Sequence, residues 1–142
     1  MKTLYLKESL ALLFACFALV GCGSMVTAKP AAERAIVDFH KLFNEQKFVD
    51  IYSAADSALK KAASEKQLTD LLSAVHRKLG TVTGSNNQTW NVSKFNFTTR
   101  IVMIQNTQFE SGKGVETFTF QISGGKAILV GYNINSNDLI TK

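Results

Sequence analysis

Val115-Glu116-Thr117-Phe118-Thr119-Phe120-Gln121-Ile122-Ser123-Gly124-Gly125-Lys126-Ala127-Ile128-Leu129-Val130-Gly131-Tyr132-Asn133-Ile134-Asn135 alternates apolar and polar residues on either side of a glycine pair. A period of two marks half-buried strands, and Ser-Gly-Gly between two such runs marks a hairpin. Two registers are open. A two-residue Gly124-Gly125 turn sets Phe120 opposite Leu129 and scatters the bulky residues over both faces. A three-residue Ser123–Gly125 loop sets Phe120 opposite Ile128, Phe118 opposite Val130 and Glu116 opposite Tyr132. One-sided burial favours the second.

Working upstream, Arg100–Phe109 reads as another strand, joined through a turn at Glu110–Gly114. If Phe109 pairs with Val115, Ile104 faces Phe120 and Gln108 faces Glu116. Gln108, Glu116 and Tyr132 then form one polar row at the end of an apolar face. The opposite face carries Ile101, Met103 and Leu129 among threonines and glutamines. Trp90 and Val92 alternate, then Phe95 and Phe97, with a parity slip at Ser93-Lys94 that a bulge would produce. Thr81–Gln88 is polar, a loop or a ragged edge strand.

Before Gly80 the period is helical. Ala32, Ile36, Phe39 and Phe43 form a stripe beginning near Pro30, a first-turn proline. The stripe breaks at Asn44–Lys47 and resumes through Phe48, Ile51, Tyr52, Ala55, Leu59 and Ala62 as a second helix, with Asp50 and Asp56 expected in solvent. Ser64-Glu65-Lys66-Gln67 is a capping box, followed by Leu68, Leu71, Leu72, Val75 and Leu79, and Gly80 is placed to end this third helix. Helices followed by a four-stranded antiparallel sheet make the fold class α+β.

The N-terminus has a different character. Lys2 and Lys7 precede an eleven-residue apolar run, Leu10–Val20, which is too short for a bilayer core needing about 20 residues. Its length and flanks suit a secretory signal. It ends in Leu19-Val20-Gly21-Cys22, which resembles the lipobox of bacterial lipoproteins, where cleavage precedes an acylated cysteine. The expected organisation is a signal peptide at 1–21, a lipidated Cys22 with a short tether to residue 30, and one α+β domain over 31–142. The chain is then held to a membrane through Cys22. Gly23 in place of Asp would direct it, in a Gram-negative host, to the outer membrane facing the periplasm. Seven residues, Gly23 to Lys29, reach about 25 Å if extended.

Composition narrows the function classes. The 142 residues are 46% hydrophobic and 19% charged, with one proline and nine glycines, an ordinary globular composition for one domain. The net charge is +5, and loss of the leader, with Lys2, Lys7 and Glu8, lowers it by one unit. No basic run exceeds Lys60-Lys61, and aromatic residues are not interleaved with cations, so nucleic acid is not an expected partner. Cys16 leaves with the signal and Cys22 carries lipid, so no thiol remains for a disulfide. No cofactor motif is present. His40 and His76 lie 36 residues apart without a ligand-spaced partner, and no metal is expected.

The domain resembles the nuclear-transport-factor-two-like, or cystatin-like, cone. More closely it is similar to a family of small exported bacterial proteins of unknown function. The resemblance covers about residues 31 to 136. It rests on Phe43-Asn44, Phe48-Val49-Asp50-Ile51-Tyr52, Leu71-Leu72 and Lys78-Leu79-Gly80, then on Phe109 through Phe118 and on Gly131-Tyr132-Asn133-Ile134. It implies a cone of helices on a curved sheet and carries no catalytic motif.

Glu116, sharing strand parity with Phe118 and Phe120, is expected on the concave face, with Tyr132, Gln108 and Tyr52 as further ligand-binding candidates. Such a carboxylate either holds the sheet's end together or contacts a ligand. Three functions stay open: an anchored module binding a protein or a small apolar ligand, a cavity enzyme of the isomerase or cyclase type with Glu116 as base, and an envelope inhibitor or immunity protein. For the first, Met103 and Leu129 on the outer sheet face are the expected contact for an envelope partner or a homodimer.

Overall fold

The computed structural model describes residues 23–141, with side chains from Val26 onward. The expected signal peptide, 1–21, and Cys22 lie outside the described residues. Helices α1 (Gly23–Asn44), α2 (Phe48–Ala54), α3 (Ser57–Ala62) and α4 (Glu65–Leu79) precede four strands. These are β1 (Val82–Phe95), β2 (Thr98–Phe109), β3 (Gly112–Ser123) and β4 (Lys126–Asn135), and a short α5 (Asp138–Thr141) follows. The strands form one antiparallel sheet in chain order, curved around the helices on one face, so the α+β reading of helices before a meander is correct.

The segment expected as a tether is helical. Gly23 begins α1, Pro30 lies inside it, and Ala28 is already fully buried. Proline has no N–H to offer the Val26 carbonyl one turn earlier, and the exposure of Val26 leaves that carbonyl to water. Seven helical residues span about 10 Å, less than half the extended reach.

The single second helix expected from Phe48 to Ala62 is two helices. Ala55 ends the first, and Asp56 caps the second, its side chain accepting from the Ala58 amide at 2.7 Å. Its own amide donates to the Leu129 carbonyl on β4 at 2.8 Å, which pins the joint to the sheet. The Ser64–Gln67 capping box forms as its pattern requires, with both reciprocal bonds present. Gly80 closes α4 at φ +79, and a Cβ there would also strike the Glu110 carboxylate. That carboxylate accepts from the Thr81 amide at 2.9 Å, which holds its pKa below the usual value.

The sheet register corrects the expected one at both inner hairpins. The β3–β4 turn is the two-residue Gly124-Gly125, both at positive φ, so Ser123 pairs with Lys126 and Phe120 with Leu129. The scattering that argued against this register is repaired by a bulge. Phe120 pairs with Leu129 but Thr119 pairs with Gly131, so Val130 is the extra residue and parity flips there. Leu129 before the bulge and Tyr132 and Ile134 after it thus share the inner face. The β2–β3 turn is only Glu110-Ser111, with Phe109 opposite Gly112 rather than Val115. Phe120 then faces Ile101, Phe118 faces Met103, and Glu116 faces Gln105, not Gln108.

The consequence is an exchanged pair of faces on β2. Ile101, Met103, Gln105, Thr107 and Phe109 are buried against the helices, and Gln108 faces out. Met103 (0% exposed) and Leu129 (7%), expected on an outer contact surface, are core. They offer no docking surface for a partner or a second copy. On β1 the irregularities fall at Val82/Gly84 and Asn87/Thr89 rather than at Ser93-Lys94, and the strand is continuous along the sheet edge. Phe39, Phe43, Phe109, Phe118 and Phe120, with Leu72, Val75, Leu79, Ile101 and Met103, fill the space between helices and sheet.

Candidate functional site

Among the described residues Glu116, on β3, is the one acidic or basic side chain buried almost completely, at 1% exposed. Three elements supply its partners. His40 on α1 sits with Nε2 2.7 Å from Oε2. Thr107 on β2 donates its hydroxyl to the same oxygen at 2.6 Å, and Tyr132 on β4 donates its phenol to Oε1 at 2.6 Å. In the Nε2–H tautomer, or when protonated, the imidazole is a third donor. Next to this set the Ser85 hydroxyl on β1 donates to Oε1 of the Gln105 side-chain amide at 3.1 Å. Both carboxylate oxygens are therefore occupied from the helix layer and from both neighbouring strands.

The surroundings are aromatic. Phe39 packs edge-on to Phe118 at 5.0 Å between ring centroids and lies 4.9 Å from Tyr132, and His40 lies edge-on to Phe118 at 5.8 Å. In such low-dielectric surroundings an unpartnered carboxylate is costly and a fully partnered one rigidifies. Burial first, and then the adjacent Glu116 charge, push the Tyr132 phenol well above its usual pKa near 10. Folded Tyr132 thus keeps its proton where the unfolded chain loses it. The folded state then binds more protons, and stability must fall as pH rises above about 10. In urea melts at pH 9, 10 and 11, the stability advantage of the native chain over Tyr132→Phe should shrink by up to about 1.4 kcal/mol per pH unit. An advantage that stays constant over this range would refute the assignment.

Of the residues expected at the site, the structure unites Glu116 and Tyr132 only. Gln108 lies on the outer face and donates its amide to the Phe109 and Gly112 carbonyls at 3.1 and 3.0 Å, tying the β2–β3 turn. Tyr52 is on α2, where its hydroxyl donates to the Ala63 carbonyl at 3.3 Å and Lys60 lies 5.8 Å from its ring. Cys22 is outside the described residues. The members that sequence reasoning missed are His40 and Thr107. His40 falls on the Ile36–Phe43 stripe at helical spacing, and Thr107 shares parity with Ile101, Met103 and Phe109, so each carried a periodicity signal. His76, by contrast, packs its ring 5.3 Å from Phe43 and 6.2 Å from Phe48, with a buried Nε2 that has no hydrogen-bond partner among the described residues.

An open depression lies elsewhere, on the outer sheet face at the β2–β3 turn end. It measures about 770 Å³. Asn86, Asn106, Gln108, Asn135 and Asn137 supply amides and Lys113 supplies a cation. Asn86, Asn106, Val115 and Asn135 are successive cross-strand partners, so three of these amides form one row across the sheet. Lys113 and Asp138 close the end, the Lys113 amide donating to the Asp138 carboxylate at 3.0 Å. Side-chain amides both donate and accept, which suits a neutral polar ligand. Glu116 does not line this depression.

No protein-family model matches the chain, and no curated protein matches it in sequence. Among solved structures it is similar to Bd1075 of Bdellovibrio bacteriovorus at 12% identity and a TM-score of 0.49. The alignment covers 76% of this chain and 40% of that one, so the chain spans less than half the length of this structural neighbour.

Proposed function

We propose that this chain is a lipid-anchored domain of the bacterial envelope, a cystatin-like cone that binds a neutral polar partner without catalysing a reaction. The observation that carries the non-catalytic part is Glu116. Its two oxygens are engaged by Thr107, Tyr132 and His40 inside the core, and it lines none of the described depressions. A general base must reach the proton it removes, and this one reaches only its own neighbours. The isomerase or cyclase reading loses its base on this account. The amide-lined depression takes the binding role, because hydrogen-bonding groups converge there and solvent reaches them. An inhibitor of an incoming envelope-active protein is one form such a binding role can take.

The anchoring part rests on Leu19-Val20-Gly21-Cys22 and on α1. Among the described residues no helix is long and apolar enough to cross a membrane, and the attachment proposed is through acyl groups on Cys22. One acyl chain binds only marginally, whereas two or more hold stably. Intact-mass measurement of the protein extracted from the source envelope should show a chain beginning at Cys22 and heavier by its acyl groups. Cys22→Ala should abolish the added mass and move the protein out of the membrane fraction. A mature N-terminus elsewhere, or no lipid mass, would overturn the anchor. Native mass spectrometry of the same preparation tests the binding part, with a retained polar ligand that Asn106→Ala and Asn135→Ala release.

A further inference from the structure

The β1–β2 hairpin tip has a composition that the fold itself does not explain. Phe95 is 77% exposed and Phe97 99%. Asn96 and Phe97 form the two-residue turn at φ +45 and +63. Hairpins of this type favour Asn followed by Gly, because the second position must adopt a left-handed conformation that a side chain resists. Phenylalanine there adopts an unfavourable backbone and gains no packing in return. Strain retained at an exposed position points outward, to something the ring meets beyond its own chain.

The charges around the tip have one sign. Lys94, Arg100 and Lys126 lie within a few residues of the two turns at this end of the sheet. No Asp or Glu occurs from Leu71 to Phe109 or from Thr117 to Asn137. Beneath Phe95 a depression of about 390 Å³ is lined by Ser93, Asn96, Thr98, Arg100 and Gln121. A guanidinium amid hydroxyls and amides suits a phosphate group.

The C-terminal end of α1 lies at the opposite end of the sheet from the tip. Phe43 packs on Phe109, Asn44 bonds both polar groups of Val82, and His40 meets Glu116, so the C-terminal end of α1 sits where β1 and β3 begin. From there α1 crosses the sheet, reaching β4 where Phe39 packs on Tyr132.

We propose that this tip is a second membrane contact, with Phe95 and Phe97 entering the interface of an anionic bilayer and Arg100 and Lys94 meeting lipid phosphates. The contact rests on the exposed aromatic and basic tip and is independent of the lipid-anchor reading. The amide-lined depression, at the far end of the sheet, then faces away from the bilayer.

The test uses protein extracted from the envelope with its own N-terminus and reconstituted into vesicles of phosphatidylglycerol and brominated phosphatidylcholine. Trp90→Phe with Phe97→Trp places the sole tryptophan at the tip. Trp90→Phe with Ser111→Trp places it at the opposite turn. The bromines should quench the tip probe by twofold or more, less in vesicles without phosphatidylglycerol, and leave the Ser111 probe unaffected. Equal quenching of the two probes, or none of either, on a chain whose mass shows acylated Cys22 overturns the tip contact and leaves the anchor standing. Tip quenching on a chain without acyl mass upholds the tip contact and overturns the anchor. A chain with neither overturns both. Phe97→Gly should raise the Tm by ~3 °C through relief of the turn. A lower Tm would show that the ring packs on its own domain and would overturn the proposal.

Discussion

Replacing Glu116 with alanine is expected to destabilise the domain by about 3–5 kcal/mol, the range for removing one partner of a buried, hydrogen-bonded charge cluster. The loss has two parts. The substitution opens a cavity beside Phe118, and it strands the Thr107 hydroxyl, the Tyr132 phenol and the His40 ring nitrogen without an acceptor. A domain of this size has a total stability of about 5–15 kcal/mol, so much of its margin should go. Glu116→Gln should cost less, since its carbonyl still accepts from two donors while its amide faces a third. Urea midpoints of the three proteins measure this directly. The sign is also informative about function. Catalytic carboxylates held in apolar sites are often destabilising, and their removal often stabilises the fold. A Glu116→Ala protein as stable as the native one would return the residue to the list of candidate bases.

The sequence made the order of elements legible because each helix and strand carries its own period. Ser64–Gln67 with Gly80 bounds α4 from both ends, and Lys126–Asn135 emerges at the expected limits. Glu116 and Tyr132 were also visible as partners, though for a reason that proved incomplete. Their pairing was deduced from a three-residue loop that places them opposite each other. In the structure Glu116 pairs with Ile134 and reaches Tyr132 diagonally across the inner face. Two registers differing by one residue leave similar apolar sets inside if a bulge is allowed, and nothing in Leu129-Val130-Gly131 announces the bulge. Gly131, whose Cβ would meet only Thr119 at ordinary contact distance, tolerates other residues on steric grounds and so marks nothing.

The β2 faces were misjudged from the turn length alone. Ile101, Met103, Ile104 and Val102 place apolar side chains on both sides of the strand, so parity within β2 does not decide which side is core. Glu110-Ser111 as a two-residue turn decides it, and the glycines at 112 and 114 made a longer turn look natural. His40 was hidden because a histidine on an apolar stripe shows its purpose only when the facing strand is placed. The amide row of Asn86, Asn106 and Asn135 was hidden likewise, since it exists across three strands and in no segment of the chain.

Met103→Lys is the substitution that most sharply separates the two assignments of the β2 faces. With Met103 outside, the change would disrupt an association surface and leave folding intact. In the structure Met103 is fully buried opposite Phe118, between strands and helices. An ammonium group there loses its hydration and finds no anion at its own position, a loss of about 4–5 kcal/mol or more. The expected result is a chain that fails to accumulate folded, or that melts at least about 10 °C lower by circular dichroism. Ile128→Lys is the matched control, because Ile128 pairs with Gln121 on the outer face and its charge can reach water. It should fold with a loss of about 1 kcal/mol or less. Folded Met103→Lys protein with an unchanged melting temperature would place β2 in the opposite parity. Glu116 would then lose its Thr107 donor, and with it the argument that the carboxylate is a structural cross-link.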